Sequence, residues 1–156
     1  DADALAVLSD RSPSASPPGP TVLATPNLGE YRRWFQGTAE PTADEVSDRA
    51  RLRGLTLLVK GATDWLSDGP RTVRNDHHHR AMTVGGMGDV LDGVLGGLLS
   101  QGIEPWVAGR LALYWVGEAG ARAERHKGFG LLASDVIEEI PRSAIEALDG
   151  APGTQA

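Results

Sequence analysis

The chain of 156 residues contains no cysteine. That excludes a disulfide framework and any thiolate metal site, and it makes the cytosol the default compartment. Lysine is almost missing: Lys60 and Lys127 are the only two among fifteen basic residues, and the formal net charge is −6. General affinity for nucleic acid rests on a cationic surface, so nucleic acid is not an expected partner. There is no signal-peptide pattern, and no apolar run reaches the roughly 20 residues of a membrane span. The expectation is a cytoplasmic protein with no membrane partner.

The length allows one domain or part of one. Ser9 to Pro20 is rich in proline and serine and reads as an exposed loop; residues 150–156 read as a disordered tail, leaving 1–149 as the folded part. The chain opens on D-A-D-A-L-A-V-L without a methionine, like the exit from a strand, and reads as a fragment. Thr21 to Ala24 and Leu55 to Val59 are short apolar runs of the kind found in buried parallel strands, with helices between them at Gly29 to Gln36 and Ala43 to Arg53. The second of these helices carries Val46, Ala50 and Leu52 as its apolar side. Asp64 to Ser67 and Arg71 to Arg74, joined by S-D-G-P, predict a hairpin. Helices are expected at Met87 to Gln101, Pro105 to Arg125 and Ser134 to Leu148, the last interrupted at Pro141, with Ser134 as N-cap and Ile137, Ile140 and Ile145 as its stripe. The class is α/β.

The densest chemical signal is M-T-V-G-G-M-G-D-V-L-D-G, from Met82 to Gly93. Gly85, Gly86 and Gly88 free the backbone, and with Met87 they form a turn whose amides can ring an anion at the positive end of the following helix. Asp89 sits in the first helical turn. A carboxylate beside a phosphate is repelled unless a metal or a proton to be accepted makes it useful, which points to a catalytic base; an ordinary N-terminal Asp is the simpler reading. Three further clusters fall after predicted strands, where open α/β sheets bind ligands. In T-P-N-L-G-E, Asn27 and Glu30 are spaced to position hydrated Mg²⁺ near phosphates, or equally to cap a helix. In V-K-G-A-T-D, Lys60 and Gly61 can meet a nucleotide by charge and close backbone approach. In N-D-H-H-H-R, at most His77 and His79 share a face, so a ligand-facing or simply exposed loop fits better than a metal site. Trp106, Tyr114 and Trp115 read as core or interface residues, and Glu118 with Arg122 as a surface pair.

Taken in order, D-A-D-A-L, T-P-N-L-G-E, V-K-G-A-T-D, the stretch from Asn75 to Gly93, L-L-S-Q-G and G-L-L-A-S-D-V-I-E-E-I-P resemble the C-terminal half of the NAD(P)H-hydrate dehydratase family, from Asp1 to about Leu148. The resemblance implies a ribokinase-like three-layer fold with a mainly parallel sheet, of which this chain holds only the C-terminal portion. It implies an ADP- or ATP-dependent reaction with Mg²⁺, in which the C6 hydroxyl of NADHX or NADPHX is phosphorylated and loss of phosphate restores NADH or NADPH. Carried over by residue, Asp89 would deprotonate that hydroxyl and touch the hydrate, Gly88 and its neighbours would hold the phosphoryl group, and Lys60, Gly61, Ala62, Thr63 and Asp64 would line the nucleotide. Asn27 would face the hydrate, and Glu30 would reach the metal through water. Asp1 and Asp3 match an acidic segment at the edge of the sheet. A homo-oligomer is expected, with a hydrate epimerase fused or separate.

The chain departs from the family at several points. Asn27 and Leu28 replace a usual His-Pro, Met87 replaces a Thr or Ser, and Asp92 replaces a small residue. The helix that usually reads H-G-x-A-G-D reads V-G-E-A-G-A from Val116. The glycine-rich loops of the family's N-terminal half are not in this sequence. A ribokinase-like kinase of a vitamin precursor or sugar, favoured by Asn27 and Glu30, and a non-catalytic nucleotide-binding remnant are the competing readings.

Overall fold

A computed structural model describes residues 4, 5, 7, 22–36 and 40–149. The loop read at Ser9 to Pro20, Asp1 and Asp3, Thr21 and the tail at 150–156 lie outside the described residues. Ala4, Leu5 and Val7 are helical. In order, the elements are β1 (Leu23–Ala24), α1 (Leu28–Phe35), α2 (Ala43–Arg53), β2 (Thr56–Val59), β3 (Asp64–Ser67), β4 (Thr72–Asn75), a 3₁₀ turn (Arg80–Met82), α3 (Met87–Ser100), α4 (Pro105–Lys127), a second 3₁₀ turn (Gly128–Gly130) and α5 (Ala133–Asp149). They fall into two compact units, one of residues 1–76 with 99–109 and the other of residues 77–98 with 110–156. Among the described residues no helix is long and apolar enough to cross a membrane.

The first unit holds a four-stranded sheet in the order β1-β2-β3-β4. β1 and β2 are parallel, as expected across a helical connection; the hairpin makes β3-β4 antiparallel and the short turn at residues 60–63 makes β2-β3 antiparallel, so the described sheet is mixed. Alternation along β2 sorts the core. Leu57 and Val59 face a cluster built from Tyr31, Trp34 and Phe35 of α1 and Val46 and Ala50 of α2, with Trp65 packed beside them. Leu58 pairs across the sheet with Leu66, and both are fully buried. Gly109 of α4 approaches Leu66 so closely that a β-carbon there would stand 2.8 Å from its methyls.

Capping explains where the helices start and stop. Asn27 and Glu30 form a reciprocal capping box for α1, as Thr42 and Glu45 do for α2, and Gly54 ends α2 with φ of 62°. Such caps are worth about 1 kcal/mol each. Val46 and Ala50 point inward as expected, but Leu52 is 50% exposed, because two residues from Ala50 is 200° around a helix. At the hairpin tip, the carbonyl of Gly69 accepts from Ser47 Oγ at 2.7 Å and from Arg51 Nη2 at 3.1 Å, which ties the turn to α2.

In the second unit α5 runs unbroken through Pro141 and starts at Ala133. Ser134 is therefore not its N-cap: the carboxylate of Asp135 accepts from Leu132 N at 2.9 Å and does that work. The buried stripe is Val136 and Ser143, with Ile140 half-buried, whereas Ile137 and Ile145 are 53% and 59% exposed. Two adjacent stripes of this helix carry apolar or small residues, and the one holding Val136 and Ser143 turns inward, while Glu146 on the outer side pairs with Arg122 of α4. Glu118 and Arg122 are thus not partners, since Glu118 pairs with His77 instead. The backbone carbonyl left without a donor by Pro141 belongs to Ile137, on the exposed side, where solvent can satisfy it.

Leu57→Ala should lower unfolding free energy by about 2–5 kcal/mol, the cost of a cavity in a closed core. Leu52→Ala should change it by less than about 0.5 kcal/mol. Urea denaturation of both variants checks the contrast.

Candidate functional site

Two loops of the first unit are held together by backbone pairing. Beyond β1 and β2, Lys60 N donates to Pro26 O at 2.8 Å and Asn27 bridges Lys60 in parallel. T-P-N-L-G-E and V-K-G-A-T-D therefore emerge side by side at the same ends of adjacent strands. Within the first loop, Glu30 N donates to Asn27 Oδ1 at 3.0 Å and Asn27 N donates to Glu30 Oε2 at 2.8 Å. The helix-capping alternative for this pair is what the geometry contains, and it occupies one acceptor oxygen of each side chain.

The second loop closes on Asp64. Its Oδ1 accepts from Gly61 N at 3.0 Å and its Oδ2 accepts from Asn75 Nδ2 at 3.0 Å. Asp64 is 8% exposed, so both oxygens act inward, shaping the loop. Sequence reasoning missed Asn75, although the hairpin register places it opposite Asp64. A β-carbon on Gly61 would meet Thr63 O at 3.1 Å and Leu28 Cδ1 at 3.2 Å, which is why the position is glycine. Lys60 and Thr63 are half-buried and Ala62 is exposed at the tip.

The glycine turn lies in the second unit. Gly85 and Gly86 form the turn, and α3 begins at Met87 as expected. Val90 N donates to Gly86 O at 3.0 Å, the first helical bond, so the N–H groups of Met87, Gly88 and Asp89 have no partner inside the helix. They point with the helix dipole toward the space beyond the turn. Asp89 is exposed and makes no hydrogen bond or ion pair among the described residues. Gly86 has φ of 92°, and a β-carbon there would lie 3.1 Å from Ala133 Cβ at the start of α5. Nearby, the Leu132 amide and then Lys127, at 3.3 Å, hold the Asp135 carboxyl below its ordinary range. That cap keeps its full strength above the unfolded value of 3.8 and is lost only as pH falls through the lower folded value.

The histidines do not assemble a metal site: no group of three or more His, Asp or Glu gathers among the described residues. His77 Nε2 lies 2.7 Å from Glu118 Oε1, and its ring stacks on Tyr114, which is 46% exposed rather than core. Trp106 is buried under the Arg71 guanidinium, 4.8 Å from its ring centre, and Trp115 is half-buried.

Gly86→Ala should destabilise by about 1–3 kcal/mol, because it forces a side chain into a left-handed backbone. Gly85→Ala has open space and should cost less than about 1 kcal/mol. Thermal unfolding of the pair measures the difference.

Residues 1–142 match the family model described as NAD(P)H-hydrate dehydratase. An ADP-dependent (S)-NAD(P)H-hydrate dehydratase of Cenarchaeum symbiosum is 41% identical over 128 residues, which cover 79% of this chain and 44% of that protein. A bifunctional NAD(P)H-hydrate repair enzyme of Hyperthermus butylicus is 34% identical over 99% of this chain and 30% of its own length. The chain thus spans less than half the length of these curated relatives. Among solved structures, an ADP/ATP-dependent NAD(P)H-hydrate dehydratase from Bacillus subtilis, co-crystallised with ATP/Mg²⁺ and soaked with CoA, superposes with a TM-score of 0.76 at 22% identity, over 86% of this chain and 53% of that one. At that identity the likeness speaks for the fold alone, an α/β arrangement of a mixed sheet and helices. Match, identity and fold agree with the order of the loops described above, and the chain belongs to the NAD(P)H-hydrate dehydratase family.

Proposed function

We propose that the chain is the C-terminal portion of a nucleotide-dependent dehydratase that returns hydrated NADH and NADPH to their active forms. The observation that carries this reading is the turn from Gly85 to Gly88, which opens α3 with free amide donors beside an unpaired carboxylate. Phosphoryl transfer asks a protein mainly for positioning and for stabilisation of charge. In the proposed step the C6 hydroxyl oxygen of the hydrate attacks the terminal phosphorus of ADP or ATP. Asp89 takes the hydroxyl proton, the amides of Met87 and Gly88 receive the negative phosphoryl oxygens, and the bond to the remaining nucleotide breaks. Phosphate then leaves from C6 as the neighbouring carbon loses a proton, and the ring double bond is restored.

Lys60 supplies positive charge beside the nucleotide, and the loop from Gly61 to Asp64 gives it a close backbone approach held in shape by Asp64. Asn27 is the residue proposed to face the hydrate. Glu30 is the residue proposed to reach Mg²⁺, which prefers oxygen ligands and keeps its waters. One Glu30 oxygen accepts from Asn27 N, and a carboxylate retains further lone pairs for a water-mediated contact. Bound Mg²⁺ would neutralise charge on the transferring phosphates. The bifunctional relatives support a fused or separate hydrate epimerase as partner, and a homo-oligomer acting in the cytoplasm completes the reading.

The full-length protein that contains this chain should restore absorbance at 340 nm from hydrated NADH only with Mg²⁺ and ADP or ATP. Asp89→Asn should lower kcat by about 10² to 10⁴, the usual worth of a positioned base, and leave nucleotide affinity within about two-fold. Lys60→Ala should raise the nucleotide KM by roughly ten-fold, on the scale of one charged contact. Phosphorylation of hydroxyethylthiazole or ribose with no action on the hydrate would move the assignment to a small-molecule kinase.

A further inference from the structure

The run N-D-H-H-H-R leads straight into the anion turn, and it lies along a helix whose sequence departs from the family pattern. We infer that Glu118, acting through His77, is a positioning residue that holds this run against α4 and thereby sets the place of the Gly85–Gly88 turn. The catalytic consequence rests on the dehydratase reading given above.

Contacts at His77 and Met82 hold this stretch against α4. His77 Nε2 donates to Glu118 Oε1 at 2.7 Å. The His77 ring lies parallel to Tyr114, one turn before Glu118 on the same helix, with 6.0 Å between centroids and 12° between planes. The His77 carbonyl packs on Gly117, where a β-carbon would clash with its oxygen. The Met82 sulfur packs in the same way on Gly120. V-G-E-A-G-A therefore provides two flat places and one carboxylate for a single neighbouring segment.

His79 plays a different part. Ala81 N donates to His79 Nδ1 at 3.3 Å, which requires that nitrogen to be unprotonated. Glu124 Oε1 lies 3.7 Å from the same nitrogen, beyond hydrogen-bond distance, whereas Glu118 is within it of His77. From His77 the chain passes through one tight turn, with Met82 N donating to His79 O and Thr83 N to Arg80 O. Ala81 is buried within it. Gly86 then abuts Ala133. Little slack separates the clasp from the phosphate donors, and misplacing such donors by about 1 Å can cost on the order of 10² in rate. The side chains of the pair are 49% and 31% exposed, so the bond adds little to global stability and its effect lies in position.

The test uses the full-length protein. Glu118→Ala and His77→Ala should each lower kcat at least ten-fold, with the nucleotide KM within two-fold and Tm within about 2 °C. The double variant should be no worse than either single one. Glu118→Gln, whose amide oxygen accepts the same bond, should return kcat to within about three-fold of wild type. Independently of activity, amide hydrogen exchange at Ala81, Met82 and Thr83 should accelerate in Glu118→Ala and return to the wild-type rate in Glu118→Gln. Unchanged exchange in Glu118→Ala overturns the proposal, whatever kcat does, as does a loss that Glu118→Gln fails to rescue. If exchange responds as expected in a protein that never dehydrates the hydrate, the clasp stands and the dehydratase reading falls.

Discussion

The parallel pairing of β1 with β2 is the constraint on which the first unit depends. It continues past the strand ends through the Lys60 N to Pro26 O bond and the Asn27–Lys60 bridge. Two loops far apart in sequence are thereby registered to within one hydrogen bond. The polar residues of T-P-N-L-G-E and V-K-G-A-T-D then need no further device to stand side by side. Parallel pairing demands a covered crossover, and α1 and α2 supply the cover with the aromatic cluster of Tyr31, Trp34 and Phe35.

Within these loops many polar side chains serve the backbone. Asn27 and Glu30 cap α1, and Asp64 holds Gly61 and Asn75. Buried or turn-forming polar groups that lack a partner are costly, so a loop that must keep a fixed shape uses its own carboxylates and amides to satisfy its N–H groups. Asp89 differs. It stands at the start of a helix with no partner among the described residues, beside amides that also have none inside the helix. That contrast separates side chains that build a loop from one that is left available for chemistry.

The second unit depends on closeness of backbone. Gly117 and Gly120 on α4 let the run from His77 to Met82 approach to distances that any β-carbon would forbid. The same helix buries Ala112, Ala119 and Ala123. Gly117 and Gly120 thus give neighbouring chain a close approach to α4, and the exposed polar pair His77–Glu118 sets the register there.

Local rules made much of this legible in advance. Apolar runs marked β1 and β2, the S-D-G-P turn marked the hairpin, and the start of α3 at Met87 followed from the glycines before it, because strand burial, turn geometry and helix starts are decided by neighbours in sequence. The order of the motifs carried the family for the same reason: each is a short segment with its own backbone demand. Side-chain partners were another matter. Glu118 sits four residues from Arg122, as a helix pair would, yet its bond goes to His77, 41 residues away, while Arg122 pairs with Glu146. Ile137 and Ile145 have the spacing of a core stripe and face outward, while Val136 and Ser143 are buried instead. Which face turns inward and which charge finds which partner depend on elements distant in the chain; periodicity leaves those choices nearly equal in energy, and only tertiary packing separates them.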